Sequence, residues 1–190
     1  MKIIDAFLIE IDRRWKPVVS PTHKINIKII GSAALLLQID YDRGTKDSDV
    51  LETADITPPI KEQLLTLAGK GSSLSKSHRM YLDVVANGIP FLPQHAIFHK
   101  MENINRHMKH FEIETLDITD VIVSKLKRFN ANDISDVSAM VAGGWLKRNA
   151  LIERFRKAVD GFIMDAWAEV IPNYIKNLHT VERDYFRAPA

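Results

Sequence analysis

The stretch IKIIGSAALLL, residues 27–37, decides the fold because a buried-strand pattern changes into a helix pattern at a Gly-Ser turn. Ile27, Ile29 and Ile30 predict a buried strand, and the apolar run 33–37 predicts a helix directly after it. Gly31 and Ser32 form the turn between them, and their amides lie at the start of that helix. Free amides at a helix start attract anions, so this turn is a candidate phosphate cradle.

Two aspartates follow in the stretch RGTKDSD, residues 43–49. Asp47 and Asp49 are two residues apart, so if the chain is extended from Ser48 both carboxylates project to the same side. Hard carboxylate oxygens suit a magnesium ion. Two carboxylates on one face repel each other unless a cation joins them, which makes this pair a candidate metal site beside the cradle.

A third acid would complete the site, and we assign it to Asp83 in the strand-like stretch RMYLDVV, residues 79–85. Three aspartates on adjacent strands can hold two divalent ions about 4 Å apart, the arrangement used in phosphoryl and nucleotidyl transfer. Asp55 is the alternative third acid. It precedes Thr57-Pro58, which reads as the start of a helix and not as a strand.

This order of motifs resembles the DNA polymerase beta type nucleotidyltransferases, especially the minimal AbiEii-related toxin-like branch. The resemblance continues downstream in DVIVSKLKR, residues 120–128, and NDISDV, residues 132–137, which are similar to that branch's helix with a lysine and its distal Asp-x-x-Asp. Together these motifs cover roughly residues 25–140. The resemblance implies an α+β fold: a mixed β-sheet flanked by helices, with a helical C-terminal lobe.

The resemblance also implies the reaction, which is transfer of a nucleoside monophosphate from a nucleoside triphosphate to a hydroxyl on RNA or protein. Gly31 and Ser32 would hold the phosphates. Asp47 and Asp49 would share two magnesium or manganese ions, and Asp83 would hold the ion beside the incoming hydroxyl and assist its deprotonation. Transfer RNA or a partner protein is the implied acceptor, and a cognate antitoxin is the implied partner of a toxin.

Two basic residues are assigned to the nucleotide phosphates. Arg43 would steady the triphosphate oxygens, although residues in such turns are often merely exposed. Lys125 would reach the phosphates as a compact positive charge, although a lysine on an amphipathic helix is usually solvated. Asp133 and Asp136 are expected to cap the next helix or to pair with basic side chains, and not to bind metal.

Two other classes of protein remain open. A non-catalytic nucleotide-binding or regulatory module would keep the fold, and salt bridges to Arg43, Lys46 and Arg79 would then explain the clustered acids. A metal-dependent nuclease would share the aspartates without needing the Gly-Ser turn. Zinc is disfavoured, because the histidines between residues 95 and 110 lack a glutamate directly after His95 and the chain has no cysteine.

The composition bounds the remaining possibilities. The 190 residues are 46% hydrophobic, enough for one sizeable core and a lobe. A net charge of +2 is not the strongly positive charge of a dedicated DNA binder, and the absence of cysteine excludes disulfides and thiolate sites. The apolar start is interrupted by acids, unlike a signal peptide, and no segment is long enough to span a membrane. We therefore predict a cytoplasmic protein.

The domain organisation follows from the other segments. Residues 1–117 are predicted to form the nucleotidyltransferase-like core, and residues 118–190 a helical lobe. Within the core we predict an amphipathic helix over residues 3–11, a helix that starts at Pro58 and stops before Gly69, and a strand over residues 111–116. The serine-rich stretch 72–77 is predicted to be a mobile surface loop, with a lid over the nucleotide as the less common reading.

Overall fold

The computed structural model describes residues 2–17, 23–41, 44–162 and 168–186. The chain divides into two compact units. The first contains residues 1–89 and 98–116, and the second contains residues 90–97 and 117–190. The chain therefore leaves the first unit after residue 89, contributes eight residues to the second, and returns.

The first unit is built on a mixed sheet of five strands. They are β1 (Ile25–Ile30), β2 (Asp47–Leu51), β3 (Tyr81–Val85), β4 (Phe98–Lys100) and β5 (Phe111–Leu116). Their order across the sheet is β3-β2-β1-β5-β4. The β1–β5 and β2–β3 pairs are parallel, whereas the β1–β2 and β4–β5 pairs are antiparallel. Together with the helices that flank it, this sheet confirms the α+β fold predicted from the sequence.

The helices of the first unit follow the predicted patterns, with one exception and one addition. They are α1 (Ile3–Arg14), α2 (Gly31–Gln38), α3 (Pro58–Ala68), α4 (Ser73–His78) and α5 (Glu102–Asn105). α1 buries the apolar stripe Ile4, Phe7, Leu8 and Ile11, and α3 starts at the predicted proline. The short strand β4 and the single turn α5 were not predicted.

The prediction of a surface loop over residues 72–77 is wrong. This stretch forms α4, because two local features stabilise a helix that its composition does not favour. The Ser72 hydroxyl oxygen accepts a hydrogen bond from the Ser75 amide at 3.0 Å, which is a regular N-terminal cap. Leu74 is only 1% exposed and anchors the helix in the core. Because this stretch is a helix and not a loop, the interpretation of it as a mobile lid is also wrong.

A buried carboxylate fixes α1 to the beginning of β5. Asp12 is 4% exposed and accepts hydrogen bonds from three consecutive backbone amides, those of Lys109, His110 and Phe111, at 2.8, 2.8 and 3.0 Å. Buried amides need such partners. A single side chain thus joins the first helix to the strand that lies beside β1.

The second unit is helical in its described part. It contains α6 (Ile118–Lys125), α7 (Ala131–Ala142), α8 (Arg148–Phe162), a short 3₁₀ helix over Ala168–Val170, and α9 (Ile171–Tyr185). Phe91, from the inserted segment, is fully buried, and its ring contacts those of Phe155, Phe162 and Tyr174. No helix in the ranges that the structure describes is both long and apolar enough to cross a membrane.

The inserted segment is also held by a buried ion pair. The Asp120 carboxylate accepts two hydrogen bonds from the Arg154 guanidinium at 2.6 Å and one from the Ile97 amide at 2.9 Å. Arg154 also donates to the His95 carbonyl oxygen at 2.9 Å. Residues 90–97 are therefore an integral part of the second unit, bound to α6 and α8 by both apolar and charged groups.

Candidate functional site

Three aspartates share one face of the sheet on two adjacent strands. Asp49 of β2 lies directly opposite Asp83 of β3 in the parallel register, and Asp47 lies opposite Tyr81. Residues paired across a sheet project to the same side, as do residues two apart on a strand. Ser48, Val50, Leu82 and Val84, which alternate with these residues, project to the opposite side and are buried. The aspartates are exposed or half-buried.

The start of α2 lies directly against this acidic face. Ile30, the last residue of β1, pairs with Asp49, and the helix begins at Gly31. Gly31 has a φ of +66°, and a Cβ atom added to it would lie 3.1 Å from Asp49 Oδ2. Glycine is therefore favoured here for two reasons: it adopts the left-handed backbone without strain, and any side chain at this position would press on the Asp49 carboxylate. Ser32 follows as the second residue of α2.

Hydrogen bonds orient the Asp47 and Asp83 carboxylates. The Thr45 hydroxyl donates to Asp47 Oδ1 at 2.7 Å, and the Val84 amide donates to Asp83 Oδ1 at 2.8 Å. Each bond uses one of the two carboxylate oxygens, and a carboxylate accepts several bonds. These contacts fix how the acids are presented without preventing them from accepting a further ligand.

Tyr81 belongs to the same face, and reasoning from the sequence missed it. Partial burial, followed by the negative charges of Asp47, Asp49 and Asp83, raises the pKa of its phenol. A phenol is protonated at neutral pH even at its ordinary pKa, so Tyr81 offers a hydrogen-bond donor on the same face as three acceptors. The signal was present in the sequence: Tyr81 lies two residues before Asp83, so any strand that presents Asp83 to the site also presents Tyr81.

The alternative third acid, Asp55, lies elsewhere. Its Oδ2 accepts a hydrogen bond from the Asn26 amide at 3.0 Å. Asn26 is near the beginning of β1, whereas Gly31 and the acidic face are at its end. The register places Asp83, and not Asp55, opposite Asp49.

Lys125 is the centre of a buried ionic cluster. Its amino group lies 2.7 Å from Asp136 Oδ2 and 3.2 Å from Asp133 Oδ1, and all three side chains are at most 7% exposed. Arg128 adds a further contact to Asp133 at 3.0 Å. The expectation that Asp133 and Asp136 pair with basic side chains is confirmed. The assignment of Lys125 to the nucleotide phosphates stays a prediction.

Asp133 also caps a helix, as expected. Its carboxylate accepts the Asn130 amide while the Asn130 side chain accepts the Asp133 amide, which forms a capping box at the start of α7. Burial alone would raise the pKa of Asp133. The hydrogen bond from Arg128, the charge of Lys125 and the Asn130 amide outweigh it, so the pKa is lowered.

The acidic face suits a divalent cation by the chemistry of its donors, since three carboxylates supply only hard oxygen atoms. The three side chains do not converge on one point in this structure. Within the described ranges, no three His, Cys, Asp or Glu side chains form a group that could hold a metal ion. A bound cation would have to draw the carboxylates together. Arg43 lies outside the described residues.

A comparison with models of protein families gives a match over most of the chain. Residues 6–166 match the model of a protein family described as a nucleotidyltransferase of unknown function, DUF6036. The matched range includes every element that carries the acidic face, as well as α6 and α7. No curated protein and no solved structure matches the chain.

Proposed function

The chain belongs to the DUF6036 family of nucleotidyltransferases, and from this premise we propose that it transfers a nucleoside monophosphate from a nucleoside triphosphate to a hydroxyl on RNA or protein. The reaction would depend on magnesium or manganese. The observation that supports this proposal is the in-register pairing of Asp49 with Asp83, with Asp47 on the same face and the start of α2 against Asp49.

The proposed roles follow from the chemistry of each group. The amides at the start of α2, with Gly31 and Ser32, would bind the β- and γ-phosphates, because a helix start attracts anions. Asp47 and Asp49 would hold the cation, which when bound neutralises phosphate charge and polarises the α-phosphoryl group. Asp83, on the far side of Asp49 from α2, would accept the proton of the incoming hydroxyl.

Lys125 and Arg43 are proposed to contact the phosphates, as the resemblance to the AbiEii-related branch implies. The same resemblance supports the further proposal of a cytoplasmic toxin whose acceptor is transfer RNA or a protein and whose partner is a cognate antitoxin. An enzyme is favoured over a non-catalytic module because the family is one of nucleotidyltransferases and the chain keeps three carboxylates on one sheet face beside the start of α2.

The first experiment is transfer from each of the four α-labelled nucleoside triphosphates, with magnesium, into total RNA and protein. We expect label in one of the two fractions. Asp49→Asn and Asp83→Asn should each reduce incorporation at least ~100-fold. Replacing even a residue that only hydrogen-bonds to a metal ligand lowers activity by up to about that factor. Asp55→Asn is the matched control and should retain activity, because the Asp55 carboxylate binds the Asn26 amide.

The products separate the remaining alternatives. Release of pyrophosphate with labelled acceptor supports the transferase, whereas shortened nucleic acid without pyrophosphate indicates a nuclease. Nucleotide binding in the absence of transfer to either fraction indicates a non-catalytic module. Activity that survives Asp49→Asn would refute the assignment of the acidic face as the site.

A further inference from the structure

The elements of the acidic face have a fixed order across the sheet. β1 and the start of α2 lie on one side, β2 with Asp47 and Asp49 lies next, and β3 with Tyr81 and Asp83 follows. In the proposed function the phosphates bind at α2 and the acceptor hydroxyl approaches beside Asp83. Tyr81 is therefore on the acceptor side of the carboxylates.

The side chain of Tyr81 would bring a hydroxyl group to that position. Tyr81 lies opposite Asp47 and two residues before Asp83, on the same face as both. A tyrosine side chain is longer than an aspartate by its ring, so its hydroxyl can stand above the carboxylates, at the level of a group bound to them. Tyr81 is half-buried, which restricts the ring while leaving part of it accessible.

We propose that Tyr81 is itself an acceptor, so that the protein attaches a nucleoside monophosphate to its own Tyr81 hydroxyl. This inference rests on the proposed function and adds a modification site to it. The Tyr81 Oη atom would form a bond to the α-phosphorus, and the bond from that phosphorus to the oxygen bridging to the β-phosphorus would break. Pyrophosphate leaves with the bonding electrons, the phenol proton passes to the Asp83 carboxylate, and no atom is oxidised or reduced.

Tyr81 shares its face with the three carboxylates that are proposed to hold the cation. The reaction would therefore require the cation and the triphosphate together, because the cation holds the triphosphate against these carboxylates. The product would carry a nucleotide on the acidic face and block further turnover.

The test uses the full chain with magnesium and each α-labelled nucleoside triphosphate in turn, without RNA or other protein. After denaturation, the intact mass and a peptide map locate any covalent nucleotide. We expect one adduct, on the peptide that contains Tyr81. Tyr81→Phe and Asp49→Asn should reduce the label to background, whereas Tyr185→Phe, which removes a half-buried tyrosine hydroxyl from α9, should leave it unchanged.

Equilibrium dialysis of the wild-type chain with the same triphosphate and magnesium separates this inference from the proposed function. Magnesium-dependent binding, weakened by Asp49→Asn but accompanied by no adduct on Tyr81, overturns the inference and leaves the proposed function standing. An adduct on another residue, or label that persists in Tyr81→Phe, also overturns it. If the wild-type chain neither binds the triphosphate nor becomes labelled, both proposals fall.

Discussion

Replacing Lys125 with methionine tests whether this lysine supports the fold or contacts the nucleotide. Methionine keeps most of the length of the side chain and removes its charge. In the wild-type structure the amino group lies 2.7 Å from Asp136 and 3.2 Å from Asp133, whose side chains are 0% and 1% exposed. The substitution therefore leaves negative charge buried without its nearest cation.

The size of the effect follows from this burial. Breaking a buried ion pair by removing one partner costs about 3–5 kcal/mol, because the remaining charge stays desolvated. Arg128 and the Asn130 amide still compensate Asp133, which favours the lower end of that range. For a chain of this size each kcal/mol lowers the melting temperature by about 2–4 °C, so we expect a decrease of about 10 °C.

Thermal and urea denaturation would measure this loss of stability. Two further variants serve as its controls. Lys157→Met removes an exposed ion pair with Glu153 and should leave the melting temperature nearly unchanged. Lys125→Met combined with Asp136→Asn should cost less than the sum of the two single changes, because the uncompensated charge is gone.

The contrary result would be equally informative. If Lys125→Met melts like the wild type yet binds nucleoside triphosphate at least about tenfold more weakly, the lysine contributes a charge-assisted bond to the phosphates and not to the fold. Such an outcome would refute the reasoning from the buried cluster and support the role implied by the resemblance.

Three more predictions follow from local features. Gly31→Ala and Gly88→Ala, both at positive φ, should each lose about 1 kcal/mol, but only Gly31→Ala should also reduce nucleotidyl transfer at least about tenfold, because its Cβ meets Asp49. Because the pKa of Asp133 is lowered in the folded protein, its charged form stabilises the fold at pH values above the usual pKa of 3.8. This contribution is lost as the pH falls through the lowered pKa. Asp133→Asn should therefore weaken the dependence of the unfolding free energy on pH in acid. Ser72→Ala should cost about 1 kcal/mol in urea denaturation, because it removes the cap of α4.

Each of these predictions has a result that would contradict it. Equal activity of the two alanine variants would mean that the approach of Gly31 to Asp49 has no role in the reaction. An unchanged acid unfolding curve for Asp133→Asn would mean that other carboxyl groups control stability at low pH. Ser77→Ala serves as the control for the cap, since this exposed hydroxyl only donates to the Leu74 carbonyl oxygen. Equal losses for the two serine variants would show that capping does not stabilise α4.

The parts of the fold that were predicted are those with strong local periodicity. The strand that ends at Ile30, the helix that begins at Gly31 and the strand around Asp83 can be recognised from a few neighbouring residues. The register then follows from which faces are apolar, so the shared face of Asp49 and Asp83 was also within reach of the sequence.

The parts that were not predicted depend on contacts between distant residues or on very short elements. The three residues of β4 are too few to show a period, and α4 depends on the burial of Leu74 and on a cap. Lys125 is buried because α7 packs its two aspartates against α6. This contact between helices is not visible in the sequence around Lys125, where a buried lysine looks like an exposed one. Tyr81 carries no charge and so gives no signal of a metal site, although it shares the alternation that selects Asp83.

The insertion of Phe91 into the second unit has a consequence for how the protein can be divided. A fragment that starts at residue 117 would lack this aromatic ring and the backbone that binds Asp120 and Arg154, although it would contain α6, α7, α8 and α9. A fragment that ends at residue 116 would carry residues 90–97 with nothing to bury them. During synthesis, likewise, the apolar ring of Phe91 stays uncovered until α8 and α9 have been made, because its partner rings belong to those two helices.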